Sequence, residues 1–260
     1  KKIFLIKVCI LIDLGINGLW AVPLVLIFRI LQPHLKIRFG TIRSDRIGHF
    51  VQDAAEQLAR IKQNKNTIEL FWLSKKICNK QWEKMVKRNL PVFRWVKYLD
   101  IWNRIIPGGK KLMRPSSLTR SRDIEGLFEK YDVKMKFLPE EEITAKNWLK
   151  KRGWSEDEPY VCVLVRDDKY LANDSLHGKG DKQSYLRWEN HNYRNSDISS
   201  YVPAMEWLAR NGVWVLRMGK MMEKPLQTKH RKIIDYAFNP DRNDLLDIWL
   251  FANCNLCIST

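Results

Sequence analysis

The chain opens on an apolar stretch, residues 3–31, broken by charge only at Lys7, Asp13 and Arg29. Its longest uncharged piece, Leu14 to Phe28, has 15 residues, short of the ~20 that a bilayer-spanning helix needs. Extending it to residues 3–28 leaves Asp13 near the middle, where a charge costs ~3 kcal/mol on insertion scales. An interfacial or re-entrant anchor fits this pattern better than a clean span, with Pro23 marking a break. A buried hairpin of two apolar helices is the alternative that needs no membrane. A cleaved signal peptide fits less well, because no small-x-small site follows before a domain strand begins.

Past residue 31 the pattern alternates between periods of two and of three to four. Residues 35–39 predict a strand closed by Gly40, and Ile47, Phe50, Val51, Ala54, Ala55 and Leu58 recur at helical spacing over 47–62. A second strand is expected at 67–73, a basic helix at 80–89 and a short third strand at 92–95. Residues 105–121, with Pro107-Gly108-Gly109 and Pro115-Ser116-Ser117, predict a long loop, followed by helical segments at 122–131 and 140–151. The run Tyr160 to Val165 is nearly continuous in apolar residues, as a strand buried on both faces requires. Residues 172–197 are polar and irregular. Asp197 then caps a helix ended by Asn211-Gly212, and strands are expected at 213–218, 233–238 and 255–259. Between the last two lies a helix capped by Asn243 or Asp244. The fold class is α/β, with strands followed by helices in doubly wound order, and in such domains ligands sit beyond the C-terminal strand ends.

Composition narrows the partners. Residues 1–150 carry 30 Lys and Arg against 14 Asp and Glu, whereas residues 151–260 carry 16 against 15, so nearly all of the +17 net charge lies in the first part. A one-sided basic field attracts a polyanion: nucleic acid, an anionic membrane surface or a phosphorylated substrate. Five scattered cysteines give no secreted disulfide framework and fit a reducing compartment, and Cys254-x-x-Cys257, in an apolar strand, is expected to serve core packing. Neither Pro107-Gly108-Gly109-Lys110 nor His177-Gly178-Lys179-Gly180 has the spacing of a phosphate-binding loop. No Asp-x-Asp occurs, which removes the usual carboxylate pair for a metal-bound nucleotide sugar, and no metal site is expected.

Three arginines follow predicted strand ends or the loop between them: Arg166, Arg194 and Arg217, the last with Met218-Gly219 turning behind it. Guanidinium groups converging on a strand-end crevice would hold a diphosphate through bidentate contacts, although three unrelated surface arginines would give the same spacing. Asp244 suits either a ligand hydroxyl or a helix cap.

The segments Arg46-Ile47-Gly48-His49, Tyr193-Arg194-Asn195-Ser196-Asp197, Val215-Leu216-Arg217-Met218-Gly219, Ile234-Asp235-Tyr236-Ala237 and Arg242 to Ile248, with Ala252-Asn253-Cys254, together resemble a family of bacterial glycosyltransferases associated with surface-polysaccharide gene clusters. The resemblance covers residues ~20–260. It implies two Rossmann-like domains in the GT-B arrangement and a nucleotide sugar as co-substrate, with no other cofactor. It also implies a glycine-bearing turn and helix after Ile258-Ser259-Thr260, so the donor domain is expected to be incomplete. The domain expectation is an apolar membrane-proximal segment at 1–31, an acceptor domain at 32–150 and a donor domain at 151–260.

The expected reaction is metal-independent sugar transfer from a nucleotide diphosphate to a lipid-linked or surface-glycan acceptor, at the cytoplasmic face of an inner membrane whose anionic surface holds the basic half. Expected donor contacts are Arg166, Arg194, Arg217, Gly219, Asp244, Ser259 and Thr260; Arg43, Arg46 and Gly48 are expected on the acceptor side. His49 is the candidate base, since Arg43 and Arg46 should lower its pKa and keep it neutral. A non-catalytic protein that uses its basic surface on membranes or nucleic acid is the rival, with nucleic acid the less favoured partner.

Overall fold

The computed structural model describes residues 2–32, 34–116, 123–167, 169 and 192–260. It is mixed α/β with parallel sheets, and the chain divides into two compact units, Lys1–Lys136 and Phe137–Thr260. Most of the expected loop at 172–197, with its His177-Gly178-Lys179-Gly180 segment, lies outside the described residues.

The first unit begins with one helix, α1 (Lys2–Leu31), followed by β1 (Lys36–Ile42), α2 (Ile47–Gln63), β2 (Thr67–Leu73), α3 (Lys80–Asn89) and α4 (Val96–Ile105). β1 and β2 pair in parallel from Lys36 opposite Thr67 to Ile42 opposite Leu73, and single parallel bridges add Met113 beside Phe39 and Val92 beside Phe71. The core joins Ile37 and Phe39 of β1, Val96 and Leu99 of α4, Leu112, and Ala21 and Val25 of α1.

Three expectations change here. Pro23 does not break α1, which runs unbroken through it. A proline removes only its own N–H bond, and the flanking Ala21 and Val25 are fully buried on the core, which holds the turn in place. Val92–Trp95 contributes one bridge rather than a strand, and the next residues form α4, whose Val96, Leu99, Asp100 and Asn103 are buried at helical spacing. The helix expected over 122–131 shrinks to α5 (Leu127–Lys130), because Gly126, at φ +63°, stands in the left-handed region just before it.

The second unit holds α6 (Pro139–Lys150), β3 (Tyr160–Leu164), α7 (Val202–Arg210), β4 (Trp214–Arg217), β5 (Ile233–Asp235), α8 (Asp244–Asn253) and β6 (Leu256–Ser259). All four strands are parallel in the order β5-β4-β3-β6. Alternation along β3 sends Tyr160 and Cys162 to a cluster with Trp148, Leu149, Trp249 and Leu250 of α6 and α8, and Val161 and Val163 to one with Met205 of α7. Both faces are thus covered, which is why β3 reads as an unbroken apolar run. Since α6 packs in this core, with Trp148 edge-on to Tyr236 at 5.4 Å, the unit begins at residue 137 rather than 151.

Candidate functional site

In the second unit the chain moves outward from β3 through β4 to β5, then returns to place β6 on the other side of β3. The direction of winding therefore reverses between β3 and β6, and their C-terminal ends meet there. The Arg166 backbone N–H donates to Thr260 Oγ1 at 3.0 Å, and the Arg166 carbonyl accepts from Ser196 N–H at 3.0 Å. Beside this point, beyond β3 and β4, lies an open crevice of about 330 Å³ lined by Val165, Asp167, Asn195 to Ile198, Arg217, Glu223 and Lys224.

The three arginines do not converge on it. Only Arg217 is among the lining residues. Arg217 is 1% exposed, and neighbouring parallel strands set it level with Asp235, so the two side chains pair: Nη1 reaches Asp235 Oδ1 at 3.1 Å, while Nη2 donates to the Lys224 carbonyl at 3.2 Å. Asp235 Oδ2 in turn accepts from Leu226 N–H at 2.8 Å. The pair therefore clamps the 219–226 turn onto the sheet edge. Among the described residues, Arg217 Nε has no hydrogen-bond partner in this buried position. Arg194 is exposed in the short 3-10 turn Asn192–Arg194, and Arg166 is half-buried.

The crevice is richer in carboxylates than in cations. Asp197 caps the turn Ile198–Tyr201 through Ser199 N–H and meets Lys224 Nζ at 2.7 Å; that ammonium, first, and the backbone donor hold its carboxyl down to about 2. Asp167 Oδ2 accepts from Glu223 N–H at 2.9 Å. Gly219 has φ +152°, and a Cβ there would stand 2.4 Å from Met222 Sδ, so the turn needs glycine. Asn243, not Asp244, caps α8, accepting from Leu245 and Leu246 N–H; Asp244 sits 3.8 Å from Lys220 Nζ. Asp247, to which the sequence pattern gives no role, accepts from Tyr236 Oη at 2.8 Å and Arg242 at 2.9 Å, and burial raises its pKa. Ser259 and the half-buried Cys254 bracket β6, whose Cys257 is exposed rather than packed.

In the first unit the loop between β1 and α2 carries Arg43, Ser44, Asp45 and Arg46, and α2 starts with Ile47, Gly48 and His49. Arg43 pairs with Asp45 at 2.9 Å. His49 is half-buried; burial, then Arg43 and Arg46, lower its pKa below the ordinary 6.5, against smaller opposing effects of Asp45 and Asp53. Ser44 is fully buried and joins the ends of β1 and β2, with its Oγ 2.7 Å from Ser74 Oγ and donating to the Lys76 carbonyl at 2.9 Å.

What fixes this loop was missed in the sequence. Asp53, on the buried side of α2, accepts from Arg43 N–H at 3.0 Å and forms a two-pronged ion pair with Arg114, both contacts 2.8 Å. Side-chain exposures are 0% for Asp53 and 9% for Arg114. Asp53, Glu56, Gln57 and Arg60 form a buried polar stripe on a helix whose apolar spacing alone was legible, and Val51, expected inside, is exposed. No known protein family, curated protein or solved structure matches the chain.

Proposed function

We propose that the chain is a membrane-associated glycosyltransferase that takes a sugar from a nucleotide diphosphate donor and passes it to a hydroxyl of a lipid-linked or surface-glycan acceptor. The observation that carries this is the all-parallel order β5-β4-β3-β6, the arrangement of half of a Rossmann-like sheet, with its winding reversed at β3/β6. Nucleotides bind in the crevice outside such a reversal because strand ends and loop N–H groups there face a space that no connection crosses.

In this reading the diphosphate lies at the β3/β6 ends, near Arg166, Arg194, Ser259 and Thr260, while hydroxyls of the donor face Glu223 in the carboxylate-rich crevice, with Asp244, outside its lining, as a further candidate contact. Arg217 acts at one remove, by holding the turn that starts at Gly219. On the acceptor side His49 is the base for the hydroxyl proton, and on the donor side the leaving group's charge is met by fixed cations. The missing Asp-x-Asp is what favours a metal-independent mode. Arg43, Arg46 and Gly48 would face the acceptor, and a polyprenyl-phosphate acceptor suits both the basic first part and the apolar α1 at a cytoplasmic leaflet.

The test is a thermal-shift panel of nucleotide sugars on the whole protein. A donor at 100 times its dissociation constant should add ~2.7 kcal/mol to stability and raise the melting temperature by roughly 5–10 °C. No shift with any donor, together with steep salt-dependent binding to RNA, would favour the non-catalytic rival.

A further inference from the structure

α1 has a continuous apolar edge that none of the described residues of its unit covers. Leu5, Ile12, Ile16, Leu19, Leu26 and Ile30 are all exposed, Leu19 by 81% and Ile30 by 75%, and with the exposed Cys9 and Pro23 they recur every three or four residues. This edge runs for ~38 Å at 1.5 Å per residue. By length and composition, Leu5–Leu31 is also long enough to cross a bilayer.

The opposite edge is committed to protein, and it carries the charges. Tyr98 Oη donates to both Asp13 carboxylate oxygens at 3.0 Å, and Trp102 Nε1 donates to the Leu14 carbonyl at 3.2 Å. Gly18 lies so close to Trp102 that a Cβ would meet its ring at 2.7 Å. Arg29 donates to Asn103 Oδ1 at 2.9 Å and to the Ile106 carbonyl at 2.8 Å. From Asp13 to Arg29, therefore, α1 carries α4 alongside it. A spanning α1 would pull Lys97, Asp100 and Arg104 of α4 into the hydrocarbon or tear the two helices apart.

Resting on the membrane attachment proposed above, we infer that α1 lies along one leaflet of an anionic bilayer, its exposed edge among the acyl chains and its charged edge on α4, without crossing. Just before α4, the exposed rings of Phe93 and Trp95 stack at 5.7 Å between centroids, next to Arg94 and Lys97. Aromatic rings beside cations are what a membrane–water boundary selects. The excess positive charge of the first part complements anionic headgroups. A second copy of the chain is the other occupant that a three-four spacing suits, but here Ile27 beside the edge, and Ile6 and Ile10 on other faces of the turns ahead of Asp13, add exposed apolar surface outside a coiled-coil seam, and that breadth fits lipid.

The experiment uses the full chain on vesicles of phosphatidylcholine with about a third phosphatidylglycerol. An environment-sensitive fluorescent amino acid replaces Leu5, Leu19 or Ile30, one at a time, and its depth is read by quenchers placed high or low on the acyl chains. The expected result is the same shallow depth at all three positions. A gradient, with Leu19 deepest and the other two near opposite surfaces, would mean a span and overturn the inference. So would probes left in water on vesicle-bound protein, or oxidative Cys9–Cys9 dimers with probes that are dry yet unreached by lipid quenchers; in these cases membrane attachment still stands. Failure to float with the vesicles at all removes attachment itself. Nucleotide-sugar binding, measured without vesicles, is independent of each outcome.

Discussion

At the scale of single residues, the buried ion pair of Asp53 with Arg114 has the most predictable consequence. Two charges withdrawn from water are tolerable only while each satisfies the other, and here both prongs are short and Asp53 also holds Arg43 N–H. Replacing Arg114 by Met leaves an uncompensated carboxylate in the first unit, and urea unfolding should record a loss of ~3–5 kcal/mol. A loss below ~1 kcal/mol would show that Asp53 is reached by water or by another donor. His49 makes a prediction about pH. Its lowered pKa means that the neutral, proton-accepting form persists below pH 6.5, so kcat/KM should hold steady through neutrality and fall only on the acid side. Burial is the largest cause and stays in place in Arg43→Ala, so that variant should move the acid limb upward by only part of the shift. His49→Asn should abolish turnover while leaving donor binding intact; near-normal turnover would move the base elsewhere.

At the scale of elements, α1 and α4 act as one body, and glycine reports it. Gly18 faces the Trp102 ring, whereas an added Cβ at Gly15 meets nothing within 4 Å. Gly18→Leu should push the helices apart and cost ~1–3 kcal/mol by overpacking. Gly15→Ala, three residues away on the same helix, should stabilise by ~0.5–1 kcal/mol through lost backbone freedom in the unfolded chain. Thermal unfolding of the two variants in one detergent checks both signs, and equal effects would mean that α1 does not pack on α4. The same pairing shows where the charges of the apolar stretch go, which their spacing alone does not give. Asp13 and Arg29 count against a membrane segment when each is imagined in lipid, but their partners, Tyr98 and Asn103, lie more than 70 residues away.

At the scale of the whole molecule, what local pattern determines was legible and what pairing determines was not. The apolar run Tyr160–Val165, the period of 47–62 and the Asn-Gly stop at 211–212 each follow from the physics of a few adjacent residues, and the element ends they predict are present within a residue or two, whereas Asp197 caps the 3-10 turn Ile198–Tyr201 and the α-helix expected there starts only at Val202. The parallel α/β class followed from their alternation. Tertiary structure alone decided that α6 belongs to the second unit, that Arg217 spends its guanidinium on Asp235, and that the strand ends meeting at Arg166 and Thr260 mark the reversal of winding. A spacing of arginines gives their order along the chain, but which charge each one meets depends on strand register, and register is set by packing across both faces of the sheet. The same holds for Asp53, which helical period assigned to neither face with a role, because a buried charge is explained only by a partner that the fold brings from a distance.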